Sequence, residues 1–150
     1  MQITEISPKA TTEELLEIFR EGNVHTQIKA LQHPNMDRGI MTRVAKSNDN
    51  YNLRAAVADN PNAGVDLLMG LETDLNSHVR AAVAANVATP TYILERMARS
   101  EKAKDEDLDV SYSLAGNPNT PLSTLVRVGL KGVPNVKDVV IRNLASRLRK

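Results

Sequence analysis

The chain has no cysteine and no tryptophan, and its 150 residues include one phenylalanine and three tyrosines. Without thiols there is no disulfide framework, thiolate zinc site, cysteine-ligated cluster or thiol nucleophile, and a cytoplasmic location is expected. The four rings, Phe19, Tyr51, Tyr92 and Tyr112, are too few for an aromatic cage or a base-stacking platform. The core must therefore come from aliphatic side chains and alanine. No stretch approaches the roughly eighteen apolar residues of a membrane span, and no basic stretch precedes an apolar run at the start, so neither membrane insertion nor a signal peptide is predicted. Charge of one sign is not in excess either: 19 Lys and Arg balance 18 Asp and Glu, so whole-molecule charge selects no partner. Phosphate-cradling glycine loops, nucleophile elbows and paired-carboxylate motifs are missing, and no catalytic residue or cofactor is predicted.

What is present is a repeat. Arg54-Ala-Ala-Val-Ala-Asp-Asn-Pro-Asn and Arg80-Ala-Ala-Val-Ala-Ala-Asn-Val-Ala match over most of their length at an offset of 26 residues. With Asn60 and Asn86 as anchors, the phase extends forward to Asn117 and back to His33 and Ser7, at spacings of 26, 27, 26 and 31. Eight residues after each anchor lie Leu15, Met41, Leu68, Leu94 and Leu125; eleven after lie Ile18, Val44, Leu71, Met97 and Val128. Three before lie Ala30, Val57, Val83 and Leu114. Apolar residues at these offsets predict a short helix ending near each anchor, a turn, and a longer second helix of about three turns. Pro61 and Pro118 stop the first helix, while Asn60, Asn86 and Asn117 tolerate left-handed backbone and bond nearby amides. Thr89 and Thr120, each before a proline, are expected to cap the second helix, as Thr11 or Thr12 does before Glu13 and Glu14.

One two-helix unit cannot bury its apolar stripe alone, so the expected fold is all-α: a single domain over 1–150, a solenoid of about five stacked units of about 26 residues. The small column Ala56, Ala82, Ser113 lets successive first helices approach closely. A loop insertion at 100–109 accounts for the 31-residue spacing, and a C-terminal cap at 134–150, with Val140, Leu144 and Ala145 in register, is expected to present a polar outer face.

Val79-Arg-Ala-Ala-Val-Ala, Asn117-Pro-Asn-Thr-Pro-Leu and Ile93-Leu-Glu-Arg-Met-Ala resemble the leucine-rich-repeat variant family over most of residues 7 to 147. The resemblance implies a right-handed superhelix alternating α-helices with short 3₁₀ or α-helical segments, similar more distantly to HEAT-like repeats. It also implies a binding scaffold without a shared active site. Departures from the pattern fall at His33-Pro-Asn-Met-Asp and Asn60-Pro-Asn-Ala-Gly, which lack the Thr-Pro pair, and at Asn86, which precedes Val87.

Metal chemistry finds little support. Asp105, Asp107 and Asp109 start a calcium-loop pattern, but Val110 stands where glycine is needed and Gly116 where a bidentate glutamate is needed. His25, His33 and His78 have no partner at i,i+4; His33 reads as a turn hydrogen bond, and His25 and His78 as exposed. Ten and thirteen residues after the anchors, six of ten positions are basic, including Arg43, Lys46, Arg96, Arg99 and Arg127, against roughly one expected from composition. These cations can simply meet the carbonyl ends of their helices. They can also form a broken positive stripe for a partner, first another protein with an acidic segment, alternatively a nucleic-acid backbone. A monomer is expected.

Overall fold

The structure, a computed structural model, describes residues 5–100 and 108–150. Among the described residues every regular element is an α-helix: α1 (Thr12–Glu21), α2 (Val24–Leu31), α3 (Arg38–Ser47), α4 (Tyr51–Asp59), α5 (Val65–Leu71), α6 (Ser77–Ala85), α7 (Thr91–Arg99), α8 (Leu108–Gly116), α9 (Leu122–Leu130) and α10 (Val136–Leu148). The even helices pack one upon the next from α2 to α10, and each odd helix packs on the even helix that follows it. The two classes do not differ in length as expected: α5 has 7 residues, fewer than the 9 of α4 and α6.

The apolar columns are the core. Leu15, Met41, Leu68, Leu94 and Leu125 are all buried, as are Ala30, Val57, Val83 and Leu114, and they belong to one connected cluster. Between the even helices, Ala56 and Ala82 are buried with no side chain beyond Cβ, which lets α4, α6 and α8 approach closely.

The anchors hold the units together. Asn60 Nδ2 donates to the carbonyls of Leu31 and His33 at 2.6 and 2.8 Å; Asn86 Nδ2 donates to Ala58 and Asn60 at 2.7 and 3.0 Å; Asn117 Nδ2 donates to Ala84 and Asn86 at 2.7 and 3.0 Å. Each Oδ1 meanwhile accepts the backbone N–H two residues on, from Asn62, Ala88 and Asn119. A carboxamide has two N–H donors and an acceptor, so one side chain closes its own turn and ties it to the turn before, with both of its own polar atoms bonded. A parallel set lies outside it, where Asn35, Asn62 and Asn119 donate to the carbonyls of Ala10, Pro34 and Val87.

The first junction uses a different residue for the same geometry. His33 Nδ1 accepts from Asn35 N–H at 3.1 Å, which leaves the proton on Nε2, and Nε2 lies 3.1 Å from the Ser7 carbonyl. The imidazole thus supplies one acceptor and one donor. The last junction falls at Asn143, 26 residues beyond Asn117, whose Nδ2 donates to Ala115 and Asn117 at 2.7 and 3.0 Å. Here the chain does not turn. α10 runs on past Asn143, so its Oδ1 accepts from Arg147 Nε instead, and Arg147 reaches on to the Thr120 carbonyl at 2.6 Å.

Several expectations need correction. Asn60 and Asn86 have extended backbones, with φ of −66° at both, and not left-handed ones, because their side chains rather than their φ angles make the turn. Thr89 and Thr120 do not cap the following helices. Pro90 and Pro121 occupy those N-caps, and the hydroxyls donate backwards to the Val83 and Leu114 carbonyls at 2.6 and 2.7 Å, tying the turn to the helix just ended. Thr11 does cap α1, in a reciprocal box with Glu14. Where the Thr-Pro pair is missing after Asn60, Gly64 serves as N-cap with φ 80°, a conformation that favours glycine. Of the insertion at 100–109, residues 101–107 lie outside the described residues; Ser100 caps α7, and Asp109 already lies in the first turn of α8, where an acid suits the helix dipole. The outer face of α10 is not wholly polar, since Ile141 and Leu148 are 62% and 88% exposed.

Asn117→Ala leaves the Ala84 and Asn86 carbonyls without their donor inside the core and should cost roughly 2–4 kcal/mol in urea unfolding. His33→Asn keeps a donor and an acceptor and should stay within about 1 kcal/mol of wild type, while His33→Ala should lose more. Equal losses for the two His33 variants would show that the ring is held by packing and not by these bonds.

Candidate functional site

The five cations singled out by phase all lie on odd helices and all are exposed: Arg43 and Lys46 on α3, Arg96 and Arg99 on α7, Arg127 on α9. They do not form one uninterrupted row. α5 and the turn after it intervene, with Gly70 and Thr73 in the matching positions, and α5 presents Met69 to solvent. Arg96 is also already engaged. Its Nη2 lies 2.6 Å from Glu72 Oε1, and its guanidinium sits 5.6 Å from the centre of the Tyr92 ring. Glu72 is buried, and its Oε2 has no hydrogen-bond partner among the described residues, so Arg96 is the counter-charge of a carboxylate drawn out of water. Arg43, Lys46, Arg99 and Arg127 make no side-chain hydrogen bond or ion pair with the described residues.

Between and beside these cations lies something the charge pattern does not announce. Leu122, Val126 and Leu130 are 60%, 49% and 79% exposed and recur at i, i+4 and i+8, forming an apolar ridge along the outer side of α9 beside Arg127. Tyr92 is exposed on α7, which packs on α9. Part of the signal was in the sequence. These three occupy positions five, nine and thirteen after Asn117, where the repeat beginning at Asn86 has Thr91, Glu95 and Arg99. Positions five and nine also hold Val65 and Met69 after Asn60, so comparing the outward columns singles out Leu130 alone.

Two other arginines of the matched segments are structural. Arg54 makes a two-pronged pair with Asp74 at 2.8 and 3.0 Å and donates to the Asn48 carbonyl at 2.7 Å. Arg80, in the same phase, donates to the Asp74 carbonyl at 2.6 Å, and Gln27, also in that phase, donates to the Phe19 carbonyl in the last turn of α1. Arg54 and Arg80 clamp the connection leading into their own helix, and Gln27 holds the last turn of the helix before it. Burial pushes the Asp74 carboxyl up, but the Arg54 guanidinium, the Asn76 N–H and the charges of Arg54 and Arg80 more than reverse this and leave it below its ordinary range.

Among the described residues no group of three or more His, Asp or Glu is placed to hold a metal ion, and Asp105 and Asp107 lie outside them. Asp109 is exposed and sits 3.2 Å from His78 Nδ1. His25 and His78 are exposed and His33 is buried in its turn. No helix is long and apolar enough to cross a membrane among the described residues. Comparison with protein-family models, with curated proteins and with solved structures found no match.

The Arg54–Asp74 clamp sets an acid-side dependence. A carboxylate lowered in the folded state contributes stability that is present above its ordinary titration, near pH 4, and is lost as pH falls through its lower folded value. Urea unfolding from neutral pH downward should show this loss below about pH 4. Asp74→Asn should be less stable at neutral pH and should lose less on acidification, and an unchanged acid limb would remove the clamp from the account.

Proposed function

We propose that the chain is a non-enzymatic protein-interaction scaffold, a right-handed solenoid of short helical repeats of the leucine-rich-repeat variant kind, monomeric and cytoplasmic. Its contact surface is the outer face of α7 and α9, with Arg43 and Lys46 of α3 extending it, and its partner is an acidic segment of another protein. The observation that carries this reading is the exposed Leu122, Val126, Leu130 ridge with Arg127 beside it on α9 and Arg99 on α7, which packs on α9. An apolar strip rimmed by cations that have no acid of their own is the composition of a binding surface, where apolar contact supplies affinity and charge selects the partner. An amphipathic acidic helix suits it, since apolar residues at i and i+4 on the partner can meet the same spacing on α9.

The alternative, contact with a nucleic-acid backbone, draws on the same cations. The apolar ridge disfavours it, because phosphates gain nothing from Leu122 or Val126. Arg96 serves Glu72, so it contributes less to either reading than its neighbours do.

The test is fluorescence anisotropy with a labelled amphipathic helical peptide carrying leucines at i and i+4 and glutamates around them. Val126→Asp with Leu130→Asp, both solvent-exposed, should change stability by no more than about 0.5 kcal/mol and reduce binding at least tenfold. Arg43→Glu, Arg99→Glu and Arg127→Glu together should do the same. Failure of wild type to bind this peptide, combined with salt-sensitive binding of duplex DNA that the Asp substitutions spare, would transfer the assignment to nucleic acid.

A further inference from the structure

A separate groove of about 380 Å³ runs across α4, α6 and α8, on the even helices. Ala55, Ala81 and Ala85 line it, and because these side chains stop at Cβ the groove admits another chain close to the helix backbones. At one end Tyr51 stacks on His78, with ring centres 5.8 Å apart and planes 21° apart, and forms a flat aromatic shoulder. Beyond the alanines lies Asp59. Its Oδ2 accepts from Gln32 Nε2 at 3.2 Å, and no Lys or Arg lines the groove. Desolvation by neighbouring groups pushes its carboxyl up from the ordinary range, and the Gln32 hydrogen bond only partly opposes this; the residue is exposed, so Asp59 presents to solvent a carboxylate without a counter-charge among the described residues. The contrast with Glu72 is direct, since that buried carboxylate has Arg96.

We propose that this groove binds an extended basic segment of a protein partner, with a lysine or arginine side chain on Asp59 and its main chain lying over Ala55, Ala81 and Ala85. The charge argument fixes the sign of the occupant: an ammonium or guanidinium gives Asp59 the counter-charge that no Lys or Arg of the lining supplies, whereas an acidic segment meets a like charge. The small floor fixes its form. A helix would stand off on its own side chains, while an extended strand of peptide can lie in a channel floored by Cβ atoms and alternate its side chains toward Asp59 and away. The carboxamide of Asn52, also lining the groove and making no hydrogen bond with the described residues, offers a donor and an acceptor to that main chain. This surface shares no residue with the α7–α9 face, so either assignment can fail without the other.

The probes are a fluorescein-labelled octapeptide of alternating lysine and glycine and its glutamate counterpart, measured by anisotropy against the full chain at low and moderate salt. The lysine peptide should bind and the glutamate peptide should not. Asp59→Asn retains an acceptor for Gln32 and should weaken the lysine peptide about tenfold or more. Ala85→Arg, an exposed helical position, should weaken it similarly by crowding the floor and adding a like charge. The Arg43→Glu, Arg99→Glu, Arg127→Glu variant should bind it as wild type does, and amide shifts caused by the peptide should fall on α4 and α6. No binding to wild type, equal binding to Asp59→Asn and Ala85→Arg, equal binding of the glutamate peptide, or shifts confined to other helices would each overturn the proposal.

Discussion

The structure depends on one side chain's stoichiometry. A carboxamide carries two donors and one acceptor in a plane, and at Asn60, Asn86 and Asn117 those groups meet two carbonyls of the preceding turn and one amide of its own. Every other arrangement of the chain is compatible with that junction or is excluded by it. A helix must end there, because the acceptor needs an N–H freed from helical bonding. The next turn must lie within hydrogen-bond reach of the last, which brings successive even helices into contact and requires small residues such as Ala56 and Ala82 between them. Aspartate would place a charge against two carbonyl oxygens, and glutamine would reach one methylene too far.

The two ends of the series show how the constraint relaxes. At His33 only one carbonyl, that of Ser7, has to be reached, so a ring with one donor and one acceptor suffices. At Asn143 both upstream carbonyls are still met, but α10 continues as helix and its carbonyl accepts from Ser146 at 2.7 Å. The donor half of the junction is retained there while the turn-forming half passes to Arg147. The flanking clamps follow the same economy: Gln27, Arg54 and Arg80 differ chemically, yet each presents an N–H to a carbonyl upstream of its helix, in the connection for Arg54 and Arg80 and in the last turn of α1 for Gln27.

This explains which parts of the molecule were legible in the sequence. The anchors, the apolar columns and the helix type could be read, because burial and hydrogen bonding recur in each unit and impose the same residue at the same phase. Asn143 was equally legible by continuing the spacing, and was missed because Asn135, Val136 and the missing proline gave it no turn signature. The role of Thr89 and Thr120 was not legible: a threonine before proline matches an N-cap in sequence, and only the placement of Pro90 and Pro121 shows the hydroxyls bonded backwards. The partner of Arg96 was hidden too, since Glu72 sits in a column that carries no acid in the other units.

Outward positions obey no such repetition, and that is where function has to be sought. Arg96 and Arg127 share a phase, yet one neutralises a buried carboxylate and the other stands free beside an apolar ridge. Leu130 breaks a column otherwise held by Arg20, Lys46, Thr73 and Arg99, and Asp59 is an acid in a column that holds Gln32, Ala85 and Gly116. In a chain whose interior is built by periodicity, a side chain that repeats is sufficiently explained by the fold. A side chain that departs from the period, stays exposed and lacks an internal counter-charge or packing partner is not, so Leu130 at the end of the α9 ridge and the carboxylate of Asp59, bonded only to the neutral Gln32, carry more functional weight than the regular basic stripe that first draws the eye.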